Sequence, residues 1–371
     1  MTQTVQNGRL LSLDVMRGLT IAGMIMVNNP GSWQYVYAPL RHARWDGLTP
    51  TDLVFPFFMF IMGVSMFFSL RKYQFSFSPS SVLKIGKRTL VIFLIGAGLN
   101  LFGHLLRHGF GAFEQLRILG VLQRLALAYG IASLIGLAVN HKYLLHTAAG
   151  ILLAYAALLA FTGSVALSAD NLIAVVDRAL LGESHMYRDT LADGTRIAFD
   201  PEGLLSVVGS VAHVLFGFYA GKLIQEGKRN NERILIGLFT LGTVLLFAGC
   251  LLQYGCPINK KLWSSTFVLT TCGLASLLLS LLIRTVDRKG GKRRLLFFET
   301  FGINPLYLYV QASLLASLCS ISGLHAFVYG SVLAPALGPF GGSLAWAVLF
   351  VVLNWIPGYY WLYKKQIYIK I

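Results

Sequence analysis

Asn28, His42, Asp46 and Asp52 crowd into one stretch of the chain, NNPGSWQYVYAPLRHARWDGLTPTDLVFPFFMFIMG, running from Asn28 to Gly63. An imidazole titrates near neutrality and can act as a general base or as a nucleophile. In either role it gains from a carboxylate that fixes its tautomer, and both Asp52 and Asp46 are close enough in sequence to His42 to supply one. Asp52 also opens an uninterrupted apolar run. A carboxylate there is costly unless something uses it.

Trp33, Tyr35, Tyr37 and Trp45 surround the histidine. Amphipathic rings at this density fit an aromatic belt at a membrane interface. They equally fit a surface that stacks on the face of a sugar, with Trp33, Trp45 and Asp46 as its contacts; spacing leaves both readings open.

A second set of polar residues lies inside apolar segments, where ionisable groups are expensive and therefore functional candidates. Asp14 and Arg17 are three apart in RLLSLDVMRGLTIAGMIMVNN, so they share a helical face and can pair. Their bland role is a structural ion pair, and the alternative is the lining of a polar path. Asn28 lies ~21 Å further along such a helix at ~1.5 Å per residue, so one segment could line a path across a membrane. Gln123 and Arg124 sit about a turn inside RILGVLQRLALAYG, where the arginine either snorkels outward or binds an oxygen-rich group. Asn304-Pro305 in FFETFGINPLYLYVQ breaks a helix, either as a plain kink or as a polar contact.

The remaining histidines carry less. His104 and His108 have a metal-ligating spacing without further ligands, so no metal is expected. His213 reads as a hydrogen-bonded core residue. The four cysteines, Cys250, Cys256, Cys272 and Cys319, form no CxxC pair. Motifs of P-loop ATPases, zinc proteases and serine hydrolases are missing from the sequence.

The elements that must position these residues are membrane helices. The 371 residues are 56% hydrophobic and 12% charged, with a mean hydropathy of +0.65. Soluble domains are about 45–50% apolar and about 25% charged. The net charge of +16 suits basic loops on one side of a membrane better than a nucleic-acid surface. Runs of about 20 apolar residues are needed to cross a bilayer. They are expected at 10–28, 51–70, 86–106, 118–139, 143–163, 203–225, 233–253, 264–283, 298–320 and 342–363. The fold class is therefore an all-α polytopic membrane protein of about ten helices, one domain over 1–371. The Gly- and Pro-broken stretch 321–341 is expected to be re-entrant or interfacial. Lys and Arg are in excess on the side that holds both termini. The positive-inside rule then makes the termini cytoplasmic and His42 extracytoplasmic. The acidic loop 164–202 is expected on the His42 side as a cap, with a short helix at 170–181.

Five blocks, LSLDVMRGLTIAGMIMVNN, HARWDGLTPTDLVFPFFMFIMG, RILGVLQRLALAY, FDPEGLLSVVGSVAHVLFGFYAGKLI and FGINPLYLYV, together resemble the heparan-α-glucosaminide N-acetyltransferase family, its bacterial relatives included. The resemblance implies transfer of an acetyl group from cytosolic acetyl-CoA to a glucosamine-type amino sugar across the membrane, here a bacterial inner membrane. It implies His42 as the catalytic residue, with Asn28 and Asp52 beside it. It also carries Asp14, Arg17, Gln123, Arg124 and Asn304 into the donor path. Lys222, Lys364 and Lys365 are the basic candidates for the donor's phosphates, and a homodimer is compatible with the family. The sequence departs from the animal pattern at Asp46 and after Asn304, where it reads YVQASLL, so the acceptor is expected to differ. The rival readings are a transporter for N-acetylglucosamine or a related sugar, and a membrane scaffold.

Overall fold

The computed structural model describes residues 10–111, 113–191, 193–227, 230–287 and 295–369. It is helical almost throughout, and nine helices among these residues are long and apolar enough to cross a membrane. The chain forms two compact units. One comprises residues 1–42, 49–58 and 278–371, and the other 43–48 and 59–277.

In the first unit, α1 (Leu11–Asn28) packs along α10 (Leu296–Ile303). Glycine permits their close approach. A Cβ at Gly18 would lie 1.7 Å from the Phe298 carbonyl oxygen, and one at Gly302 would lie 1.8 Å from the Asp14 carbonyl oxygen. Small residues are how apolar helices bring backbones together when water supplies no driving force. The expected 298–320 span is not one helix. It stops at Asn304, whose backbone (φ −125°, ψ 57°) is not helical, and restarts at Pro305 as α11 (Pro305–Ile321). Proline at the first position of the new helix gives up no bond, because that N–H is an orphan anyway. The 321–341 stretch is also more regular than its Gly and Pro content suggests. Short α12 (Leu324–Phe327), a π-helical turn over Val328–Leu333 and α13 (Ala334–Pro357) follow one another. The break within α13 is at Gly338, with φ +73°.

The second unit holds most of α2 (Val54–Leu70), then α3 (Pro79–His108), α4 (Val121–Ala138), α5 (Leu144–Phe161), α7 (Val207–Glu226), α8 (Asn231–Leu252) and most of α9 (Ser265–Leu282). One face of α8 is strongly apolar and exposed, through Phe239, Val244, Phe247 and Leu251, as a lipid-facing helix requires. The 164–202 segment folds as α6 (Leu172–Leu181) and a small antiparallel pair, β1 (Arg188–Thr190) with β2 (Arg196–Ala198). Asn171 caps α6 by accepting from the Ile173 N–H at 3.0 Å. Ile173, Ala174 and Phe199 of this segment share a small core with Tyr155, Leu159 and Leu262.

Candidate active site

The loop from α1 to α2 is stitched by threonines. Thr51 Oγ1 donates to the Pro39 carbonyl at 3.2 Å, and Thr49 Oγ1 lies 2.7 Å from the Arg41 carbonyl. The stitching brings His42 back to the start of α2, where Pro50–Leu53 forms a 3₁₀ turn. There His42 Nδ1 meets Asp52 Oδ1 at 2.6 Å. Of the two candidate carboxylates, Asp52 is therefore the one on the ring. Asp52 is 1% exposed as a side chain while the His42 ring is 43% exposed. The other oxygen, Asp52 Oδ2, accepts from the Thr49 N–H at 3.2 Å and lies 2.9 Å from its hydroxyl. The Thr49 N–H and hydroxyl thus hold Oδ2 while Oδ1 faces the ring. An ionised Asp52 makes His42 Nδ1–H the donor and leaves the lone pair on Nε2. The pair therefore joins a buried carboxylate to a half-exposed ring.

Asn28 ends α1 and is exposed, and it lines a cavity of about 280 Å³ with Met24, Ile25, Asn29, Tyr309, Ala312 and Ser313. Trp33 is 67% exposed. Tyr35 and Tyr37 both pack on Phe340, with centroids 5.5 and 5.4 Å away.

Asp14 and Arg17 pair at 3.1 Å, and Arg17 also donates to the Gly302 carbonyl at 3.1 Å, in the last turn of α10. Asp14 is buried, so this ion pair also ties two helices. Asn304 is buried too. Its Nδ2 donates to the Ile367 carbonyl and its Oδ1 accepts from the Ile369 N–H, both at 2.8 Å. Its amide is thus spent on the segment that follows α13. Lys364 and Lys365 are exposed in that segment.

The second unit holds the rest. Trp45 is part of the small core: its Nε1 donates to the Val165 carbonyl at 2.9 Å and its ring meets Phe199 edge-on at 5.4 Å. Asp46 accepts from Asn259 Nδ2 at 3.1 Å. Gln123 Nε2 donates to the Ile118 carbonyl at 3.0 Å. Arg124 does not snorkel. It is 1% exposed, donates to Ser206 Oγ, and lies over the Trp263 ring at 4.7 Å. Lys222 Nζ donates to the His141 carbonyl at 3.1 Å and is 3.7 Å from Glu226.

Sequence reasoning missed several positions. Thr49 holds the buried carboxylate, and its spacing to Asp52 is that of a capping box, T-x-x-D, which could have been read. Arg117 pairs with Asp200 and Glu202 at 2.6 and 2.5 Å. Burial alone would lower the Arg117 pKa, but the Asp200 hydrogen bond and the two carboxylate charges hold it above its ordinary value. Asp177, wholly buried, accepts from the Leu204 and Leu205 N–H groups at 2.8 and 3.4 Å. Burial outweighs those bonds and pushes its pKa up to about 6. No local pattern marks these long-range partners.

The model of the heparan-alpha-glucosaminide N-acetyltransferase catalytic family matches residues 9–191. Heparan-alpha-glucosaminide N-acetyltransferase of Homo sapiens is 30% identical over 352 residues, covering 81% of this chain and 52% of that protein. The Mus musculus protein of the same name is 29% identical over 362 residues, covering 83% and 54%. The chain spans about half the length of the curated relatives it matches.

Proposed function

From its place in the heparan-α-glucosaminide N-acetyltransferase family, to which this chain belongs, we propose that the protein is a multi-pass membrane acetyltransferase. The acetyl donor is cytosolic acetyl-CoA and the acceptor is a glucosamine-type amino sugar on the extracytoplasmic side of a bacterial inner membrane. Asp52 keeps the Nδ1 proton in place and stabilises positive charge on the ring. Nε2 of the half-exposed His42 ring takes a proton from the acceptor amine as the amine attacks the thioester carbon, and the C–S bond breaks to release the CoA thiolate, to which the imidazolium returns the proton. In the ping-pong variant Nε2 first takes the acetyl group itself, expelling the thiolate, and then passes it to the amine. Asn28 supplies an amide N–H to the oxygen on which charge develops. The exposed Lys365, and Lys364, whose Nζ lies 5.9 Å from the centre of the Tyr360 ring, would meet the donor's phosphates, whereas Lys222 must first release the His141 carbonyl.

The observation that carries this reading is the His42–Asp52 pair, a half-exposed imidazole on a buried carboxylate. It favours chemistry over the passive passage of a sugar, for which such a pair has no evident use. The test supplies purified protein with acetyl-CoA labelled on the acetyl group and with glucosamine. Wild type is expected to form labelled N-acetylglucosamine, and His42→Ala to lose at least about 10²-fold in rate. Full transfer by His42→Ala removes the assignment of His42. Neither transfer nor donor binding by wild type removes the enzyme reading.

A further inference from the structure

Thr49 contacts neither ring nor reacting atom, yet it holds both sides of the pair. Its N–H donates to Asp52 Oδ2 at 3.2 Å, and its hydroxyl sits 2.9 Å from the same oxygen and 2.7 Å from the carbonyl of Arg41, the residue before His42. We propose that Thr49 is a positioning residue of the reaction, whose hydroxyl sets both the aim and the basicity of Asp52. The inference rests on the reading of His42 as the catalytic group.

The physical reason is the hydroxyl's single proton. Shared between the Arg41 carbonyl and Asp52 Oδ2, it fastens the backbone beside His42 to the carboxylate that the ring must face. The donation also withdraws charge from a buried carboxylate. Without it, Asp52 becomes a stronger acceptor and favours the protonated imidazole, which cannot act as a base. Arg41, the other charged side chain on this loop within the unit, donates to the Val36 carbonyl at 2.7 Å. Thr51 is a natural control. Its hydroxyl stitches the same loop through the Pro39 carbonyl at 3.2 Å.

The experiment compares rate–pH profiles of Thr49→Val, Thr49→Ser and Thr51→Val in the full-length protein, with His42→Ala in parallel. Thr49→Val is expected to lose about tenfold in kcat with KM for acetyl-CoA nearly unchanged. The acid limb of its profile should move to higher pH. Thr49→Ser should restore both, and Thr51→Val should leave the acid limb in place. The proposal is overturned if Thr49→Val keeps the wild-type limb, if serine does no better than valine, or if Thr51→Val shifts the limb equally. Should Thr49→Val fail to fold, Thr49→Ala is read by the same criteria. Full activity of His42→Ala is a separate outcome: it refutes the reading beneath this inference rather than the geometry at Thr49.

Discussion

At the scale of single residues, the site turns on one carboxylate with two jobs. Asp52 Oδ1 faces the His42 ring and Oδ2 closes the first turn before α2 through Thr49. Asp52→Asn presents an amide where a carboxylate is needed, so kcat is expected to fall by about 10²-fold or more. Stopped assays with labelled donor measure this directly. Spacing alone left Asp46 and Asp52 equal as partners for His42. The long-range bond from Asn259 to Asp46 is what separates them, and nothing near Asp46 in sequence announces it. Trp45 was equally ambiguous. Its indole is committed to Val165 and Phe199, so Trp45→Ala is expected to loosen the 164–202 segment. Faster proteolytic cleavage within that segment would show it.

At the scale of elements, apolar run lengths made the helices legible, while their interruptions were only partly so. Asn304-Pro305 was readable as a break, because proline has no N–H to give. That Asn304 would spend its amide on Ile367 and Ile369 lay more than sixty residues away and outside any local rule. The Gly18 and Gly302 crossing was likewise invisible until the helices met. Gly302→Ala would drive a methyl into the Asp14 carbonyl, 1.8 Å from its ideal position. Overpacking of this kind costs about 1–3 kcal/mol, and it would pull Arg17 off the Gly302 carbonyl. A lowered melting temperature in detergent, with a matching loss of acetyl transfer, is the expected result. In the 164–202 segment Asp177 titrates near pH 6 rather than at its usual 3.8. A carboxyl whose folded pKa is raised binds its proton more tightly when folded. Its contribution is therefore greatest below about pH 4, and it is lost as the pH rises through 6. Wild type should lose protection of this segment over that window, and Asp177→Asn should flatten the dependence. Hydrogen exchange of the segment between pH 4 and pH 7 gives the measurement.

At the scale of the whole molecule, composition already dictated a helical membrane protein, since 12% charge cannot cover a water-soluble surface of this size. The sidedness proposed from lysine and arginine distribution predicts that a reporter fused after Ile369 is active in the cytoplasm, and one inserted near Asp193 only outside it. The reverse pattern would put His42 on the donor's side and end the transmembrane reading. The arrangement at Asp52 has a practical consequence for anyone wanting a silent protein to trap a bound donor. Altering the carboxylate disturbs the scaffold that shapes the loop, because the same atoms hold up a helix start. Altering the half-exposed imidazole leaves the Thr49–Asp52 bonds at that helix start in place. A His42→Gln protein is thus the better decoy, mute in chemistry but with its architecture intact.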